Sequence, residues 1–209
     1  MLIVDLSKLP TEEHEVARSI QIGLLALKSN VAAFSASLDL YIYAHERKMG
    51  RPEGYDSWRM ISWINLAGTN GAIAAASFVT TLHYLASLDG AEIKRRWDPA
   101  EYKAAKTLIK TKMPGIKGVR ASAAHPGEWL ADVKESAKHA LREEVEAPGG
   151  ALFGSGVSVS GGMHALRDRL NFSATYAGQL ESYELSAENV AVLDNALKHM
   201  VAAYLPLSV

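Results

Sequence analysis

The chain has 209 residues, 48% apolar and 22% charged, a balance typical of folded globular proteins that excludes extensive disorder. Its 22 basic and 23 acidic residues give a formal net charge of -1, so only a local basic patch could attract nucleic acid. Cysteine is absent, which excludes disulfides and cysteine metal sites and fits a cytoplasmic protein. No signal peptide and no uninterrupted membrane-spanning stretch is recognised, so no membrane association is expected.

A long first helix is predicted after Thr11-Glu12-Glu13, where a hydroxyl cap precedes acids that favour a helix N-terminus. Its apolar residues alternate spacings of four and three, the seven-residue repeat of a helix that packs lengthwise on a partner. The repeat comprises Ile20, Leu24, Leu27, Val31, Phe34, Leu38, Tyr41 and His45. No proline intervenes before Pro52, so we expect the helix to end near Gly50.

A second long helix is predicted from residue 56 to about residue 88. Small residues fill its middle, between residues 67 and 77, and they favour the close approach of another helix. Asn70 lies among them and is interpreted as a buried amide that hydrogen-bonds between helices. The two long helices are expected to form an antiparallel hairpin through residues 50–54.

The remaining elements are shorter. Asp98-Pro99 begins a third helix that ends near residue 113, and a fourth is predicted from Pro126 to about Val145. A period of two then predicts three strands, one around residues 153–159, one over residues 170–176 and one ending near Leu185. Ala177-Gly178 is the predicted hairpin turn, and a capping serine at position 186 begins the last helix.

Together these elements predict a mainly α protein. It is an antiparallel helical bundle with two long helices, plus a small three-stranded antiparallel β-meander before the C-terminal helix. We expect residues 1–209 to form a single domain, in which residues 11–146 form the bundle, 150–185 the meander and 186–205 the final helix.

Arg120 and His125 are the candidate catalytic residues. Residues five apart on one helix lie about 140° apart, but the residue before Pro126 avoids helical geometry, so a bend could bring both side chains into one cleft. Arginine would bind a phosphate, and histidine would act as general acid or base. The alternative is an ordinary helix start beside an arginine in a salt bridge, which pattern alone favours.

This segment resembles the Arg-then-His motif of the HEPN superfamily of helical-bundle proteins, in which four to six residues separate the two. The resemblance implies a metal-independent RNase of the toxin–antitoxin or antiphage kind, with a cleft completed by a homodimer, or an inactive binding relative. It assigns phosphate contact to Arg120 and catalysis to His125. Family members usually carry a polar residue, often asparagine, directly after the arginine, where this chain has Ala121.

Positive charge is concentrated between residues 94 and 120. Lys103, Lys106 and Lys110 are three and four apart, on one helical face, and Arg95 and Arg96 precede them. A solvated helix face is the common explanation of such a pattern. The functional explanation is a local basic surface that binds phosphate backbones.

Other sites find little support in the sequence. The glycine-rich stretch 148–162 lacks the lysine and the helix context of a phosphate loop and is interpreted as a flexible entry to the hairpin. The histidines have no metal-ligand spacing, so neither a metal nor a cofactor is predicted.

Two functions therefore lead, ahead of a third, a bundle that binds a small molecule in the glycine-lined space around Asn70. The first is an RNA-directed helical-bundle protein, either an RNase or its binding relative, which the basic cluster favours. The second is a non-catalytic interaction or scaffold protein that self-associates or docks to a partner, which Ala121 and the near-neutral charge favour.

Overall fold

The computed structural model describes residues 3–49, 55–116, 118–119 and 137–208, which are mainly helical with a small antiparallel meander, as predicted. The helices include α1 (His14–Met49), α2 (Tyr55–Ser87), α3 (Ala91–Arg96), α4 (Pro99–Lys112) and α5 (Ala187–Tyr204). The strands are β1 (Val145–Glu146), β2 (Leu152–Phe153), β3 (Ser160–Ala165), β4 (Leu170–Tyr176) and β5 (Gln179–Leu185). Among the described helices, none combines the length and apolar character needed to cross a bilayer.

The two long helices are antiparallel, as predicted. Near the start of α1, Gly23 lies against Leu85 so closely that an added Cβ would be 2.5 Å from Leu85 Cδ2. Near the other end, Tyr43 stacks on Trp63 with ring centroids 5.8 Å apart. The seven-residue repeat lines the packed side of α1: six members are buried and two are partly buried. The buried members are Ile20, Leu24, Leu27, Phe34, Leu38 and Tyr41.

Contacts divide the chain into two compact units. Unit 1 consists of Met1–Ala32, Ser77–Lys112 and Ala191–Val209, and unit 2 consists of Ala33–Ala76 and Met113–Val190. Unit 1 therefore holds α3, α4 and most of α5, and unit 2 holds the strands. The assignment of the whole chain to a single domain stays a prediction.

The caps read from the sequence are confirmed for α4 and α5. Asp98 Oδ1 accepts a hydrogen bond from Ala100 N at 2.8 Å, and Ser186 Oγ accepts one from Asn189 N at 3.4 Å. The first helix differs slightly, because Thr11–Glu13 forms a 3-10 turn and α1 begins at the next residue.

In unit 2, the glycines of α2 contact the sheet. Gly68 lies against Phe172, and a Cβ added at Gly71 would be 2.6 Å from the hydroxyl oxygen of Tyr183, which donates a hydrogen bond to the carbonyl of Gly68. We expected another helix to pack against these small residues, and for the two glycines this expectation is wrong. The buried role expected for Asn70 is also wrong, since its side chain is exposed to solvent.

The meander is antiparallel in the order β3-β4-β5, and its hairpin turn is confirmed. Ala177 and Gly178 have φ values of 51° and 85°, the left-handed pair of a type I′ turn. The first predicted strand, residues 153–159, is misplaced: the strand that pairs with β4 is β3, whereas β2 pairs with β1 in a separate two-stranded sheet.

The fourth helix does not extend to Val145 as expected. Its described part covers residues 137–139, and Val145 lies in β1. Tertiary hydrogen bonds take the backbone groups that a longer helix would use: Leu141 N donates to Val157 O at 2.9 Å and Arg142 N to Gly178 O at 3.2 Å. These partners are distant in sequence, so periodicity alone could not indicate them.

Candidate functional site

The candidate catalytic residues Arg120 and His125 lie outside the described residues, as does Pro126. Their roles, and the cleft that the bend would create, stay predictions. The candidate site that the structure does describe belongs to unit 1 and consists of the predicted basic residues, which lie on α3 and α4.

The backbone around α4 fixes the position of this site. Asp98 caps the helix, and its own backbone N–H donates to Ala203 O at 3.0 Å, which ties the start of α4 to the end of α5. Ala105 and Ile109 are the buried residues of α4. Because they turn into unit 1, the other side of the helix is left to solvent.

The three predicted lysines share one face of α4, which we call the lysine face (Lys103, Lys106 and Lys110). At about 100° per residue their side chains fall within about 60° of one another. All three are exposed. No carboxylate among the described residues lies within 4.0 Å of their amines, so their charge remains available to a ligand.

Arg95 and Arg96 are arranged differently, because both bind Glu92 on their own helix. Arg95 Nε and Nη2 donate to the Glu92 carboxylate at 2.8 and 2.7 Å, and Arg96 Nε donates at 2.6 Å. These hydrogen bonds lower the pKa of Glu92 to about 2 and raise the pKa of Arg95. One carboxylate thus offsets part of the charge that the sequence assigned to nucleic-acid binding.

An open groove of about 560 Å³ runs along α4 beside the lysine face. It is lined by Ala100, Lys103, Ala104, Thr107, Leu108, Thr111, Lys112 and His199. On a helical wheel Lys103 is the boundary between the groove and the rest of the lysine face, and Lys112 lies on the opposite rim. The groove therefore combines a short apolar floor with hydroxyls and two amines.

His199 contributes to the groove from α5 and is held by Glu101. Its Nδ1 lies 2.6 Å from Glu101 Oε2. A carboxylate only accepts hydrogen bonds, so Nδ1 carries a proton and Nε2 is the ring nitrogen left for another partner. The part of the chain that the structure describes contains no group of three or more His, Asp or Glu side chains placed to hold a metal ion. Lysines and hydroxyls instead suit the groove to an anionic ligand.

Comparisons with known proteins found no relative of this chain. No family model, curated protein or solved structure matches the chain. The resemblance to the HEPN superfamily, and the activity it implies, therefore stay predictions. Any proposal of function rests on the chain's own residues.

Sequence reasoning placed the lysine face but missed the groove and His199. A signal for the groove exists within α4, where Ala100, Ala104 and Leu108 form one row four apart and Thr107 and Thr111 continue the row of Lys103. The contribution of His199 has no such signal, because the contact with Glu101 spans 98 residues.

Proposed function

We propose that this protein binds RNA through the lysine face of α4, as a metal-independent RNase or as a non-cleaving relative of one. The observation that carries the proposal is the set of three exposed amines on one helical face, with no carboxylate of the described residues within 4.0 Å of them. Such a surface binds phosphate backbones by releasing their counterions, even when the protein as a whole is near neutral. The proposal includes a cytoplasmic location, where RNA is accessible.

The test is binding of a fluorescent mixed-sequence RNA over a series of salt concentrations. In the triple variant Lys103→Ala, Lys106→Ala and Lys110→Ala, affinity should fall and the slope of log K against log salt should flatten by about 2, since each lost phosphate contact removes about 0.7. Fluorescence anisotropy measures both quantities.

The matched control removes three positive charges from another exposed helix surface. Arg18, Lys28 and Lys48 on α1 are exposed, and changing all three to alanine gives the same net charge as the triple variant. This control should keep most of the affinity and the slope. Equal losses in the two variants would show that net charge, and not the lysine face, governs binding.

The cleaving form of the proposal assigns the scissile phosphate to Arg120 and proton transfer to His125. Its support is the spacing of the two residues before Pro126 and the resemblance to the HEPN superfamily. With EDTA present, the wild-type protein should cleave mixed RNA, and Arg120→Ala or His125→Ala should slow cleavage by at least about a hundredfold. Cleavage that survives both changes would remove these residues from the mechanism.

A second candidate function, self-association or docking to a protein partner, is favoured by the surface of α2. No Lys, Arg, Asp or Glu occurs between Arg59 and Asp89. Yet Leu66 is 49% exposed and Ile73 is 39% exposed. Exposed apolar residues on an uncharged stretch of helix are typical of interaction surfaces, and a homodimer is the simplest partner.

Sedimentation of the double variant Leu66→Glu and Ile73→Glu tests this second candidate. The wild-type protein should be dimeric at micromolar concentration and the variant monomeric, because each glutamate would have to lose its hydration in the interface. Leu152→Glu, which changes a 66% exposed leucine on β2, is the control and should remain dimeric. A monomeric wild-type protein would contradict self-association.

A further inference from the structure

The groove beside the lysine face is open because α4 carries small residues there. Ala100 is exposed and Ala104 half-buried, and neither side chain extends beyond a methyl group. Together with Leu108 they make an apolar floor along the groove. Its volume of about 560 Å³ lies in the range of sites for small organic ligands.

The polar groups of the groove lie next to its apolar floor. Thr107 and Thr111 follow Lys103 in one row, and both threonines are exposed, so their hydroxyls can donate and accept hydrogen bonds. Nε2 of His199, with Nδ1 already bound to Glu101, completes the set. A ligand that fits has a flat or apolar part, hydrogen-bonding edges and a negative charge.

The continuity of the groove with the lysine face selects one such ligand. Lys103 lines the groove and also belongs to the face that carries Lys106 and Lys110. A chain whose phosphates lie along those amines would pass the mouth of the groove at Lys103. We infer that the groove takes an unpaired nucleotide of single-stranded RNA, with its base over the alanine floor and its phosphates on the lysine face.

This inference rests on the proposed RNA binding and makes it more specific. In a duplex, base faces are stacked and enclosed, so double-stranded RNA could reach the lysines but not the groove. The protein should therefore bind single strands more tightly than duplexes of the same length. Only the single strand should respond when the groove is filled.

Two variants fill the groove without changing a charge: Ala100→Leu and Ala104→Leu. Each should weaken binding of a 12-nucleotide single strand by about tenfold, while binding of a 12-base-pair duplex and the salt slope stay unchanged, since every lysine is retained. Ala191→Leu makes the same change at an exposed position of α5 outside the groove and should bind like wild type. Circular dichroism and thermal melting establish that each variant is folded.

An abasic strand of equal length provides the ligand-side test. Wild-type protein should bind it about tenfold more weakly than the normal strand, and the filled variants should not distinguish the two strands. If the folded filled variants bind the normal strand like wild type, the groove assignment is overturned while the lysine face keeps its role. If wild-type protein binds neither strand nor duplex, the proposed RNA binding fails, and the groove assignment fails with it.

Discussion

At the residue scale, Glu13 acts on a helix far from it in sequence. Its carboxylate is buried and accepts hydrogen bonds from Glu92 N at 2.9 Å and Ile93 N at 3.0 Å. These N–H groups belong to the first turn of α3, which has no partner for them within the helix. A negative charge at the N-terminus of α3 also complements the helix dipole. The six-residue α3 is therefore capped by the residue directly before α1.

Removing that cap should destabilise unit 1. In Glu13→Ala, the two N–H donors, of which that of Ile93 is buried, lose their acceptor, and the free energy of unfolding should fall by about 1–3 kcal/mol. Glu13→Gln should lose less, because the amide keeps one acceptor oxygen. Urea unfolding followed by circular dichroism measures the change, and Glu12→Ala, an exposed neighbour, is the control. A loss as large in the control would contradict the capping role.

The Glu92 carboxylate predicts how stability depends on pH. Hydrogen bonds from Arg95 and Arg96 lower its pKa in the folded state from 4.5 to about 2. Its contribution is therefore fully present above about pH 4.5, the unfolded value, and is lost as the pH falls towards 2. The Glu92→Gln protein lacks this contribution to stability at every pH.

Urea titrations between pH 2 and pH 7 test that dependence. The difference in unfolding free energy between wild type and Glu92→Gln should be constant near neutrality and shrink between pH 4.5 and pH 2. Glu12→Gln should show no comparable trend. A difference that does not change with pH would mean that the arginines do not stabilise the charged carboxylate.

At the scale of elements, the close packing of α2 on the sheet depends on two missing side chains. Gly68 lies against Phe172 and Gly71 against Tyr183, and the Tyr183 hydroxyl reaches the Gly68 carbonyl. Burial raises the pKa of Tyr183 far above its usual range, so this donor keeps its proton. Each glycine lowers the intrinsic helix propensity of α2, but it also allows close contact between the helix and the sheet.

Gly68→Ala should show which of these effects is larger. Alanine favours the helix by about 1 kcal/mol, but its methyl group would overlap the ring of Phe172. Overpacking of this kind costs about 1–3 kcal/mol, so a net loss in unfolding free energy is expected. Gly154→Ala, where no atom lies within 4 Å of the added group, is the control. A stabilised Gly68→Ala protein would show that the sheet moves away without cost.

The elements that sequence predicted well are those whose signals are local. The repeat of α1 consists of spacings of three and four residues, and the Asp98 cap of α4 and the Ala177-Gly178 turn each lie within a few residues. The structure confirms all three. The short α3 was not predicted, because six residues hold less than two turns of periodicity. Asn70 was misplaced because small neighbours indicate close packing on one side of a helix without indicating which side.

At the scale of the whole molecule, the candidate site was predictable where one helix forms it. Spacing alone put Lys103, Lys106 and Lys110 on one face, as the structure confirms. Charge counting could not show that Glu92 holds Arg95 and Arg96, since a salt bridge depends on side-chain geometry. His199 joins the groove only because α5 returns to α4.

Because α5 returns to α4, we expect the last helix to be part of the cooperatively folded core of unit 1. Leu193 and Met200 are fully buried, and the Tyr204 hydroxyl donates to Leu85 O at 2.8 Å. Deleting residues 191–209 should expose this core, so hydrogen exchange of amides in residues 77–112 should approach that of an unfolded chain. Mass spectrometry of peptides measures it. Exchange as slow as in the full chain would contradict a shared core.

The joining of distant segments in unit 1 also bears on biosynthesis. Val4 pairs with Ser208, and Asp5 N donates to Leu207 O at 2.8 Å. A ribosome adding about 5–20 residues per second would release the first segment of this unit roughly 8–30 s before the last. During that interval the apolar side chains of α1 that become buried, such as Ile20 and Leu27, lack the last segment that completes their unit.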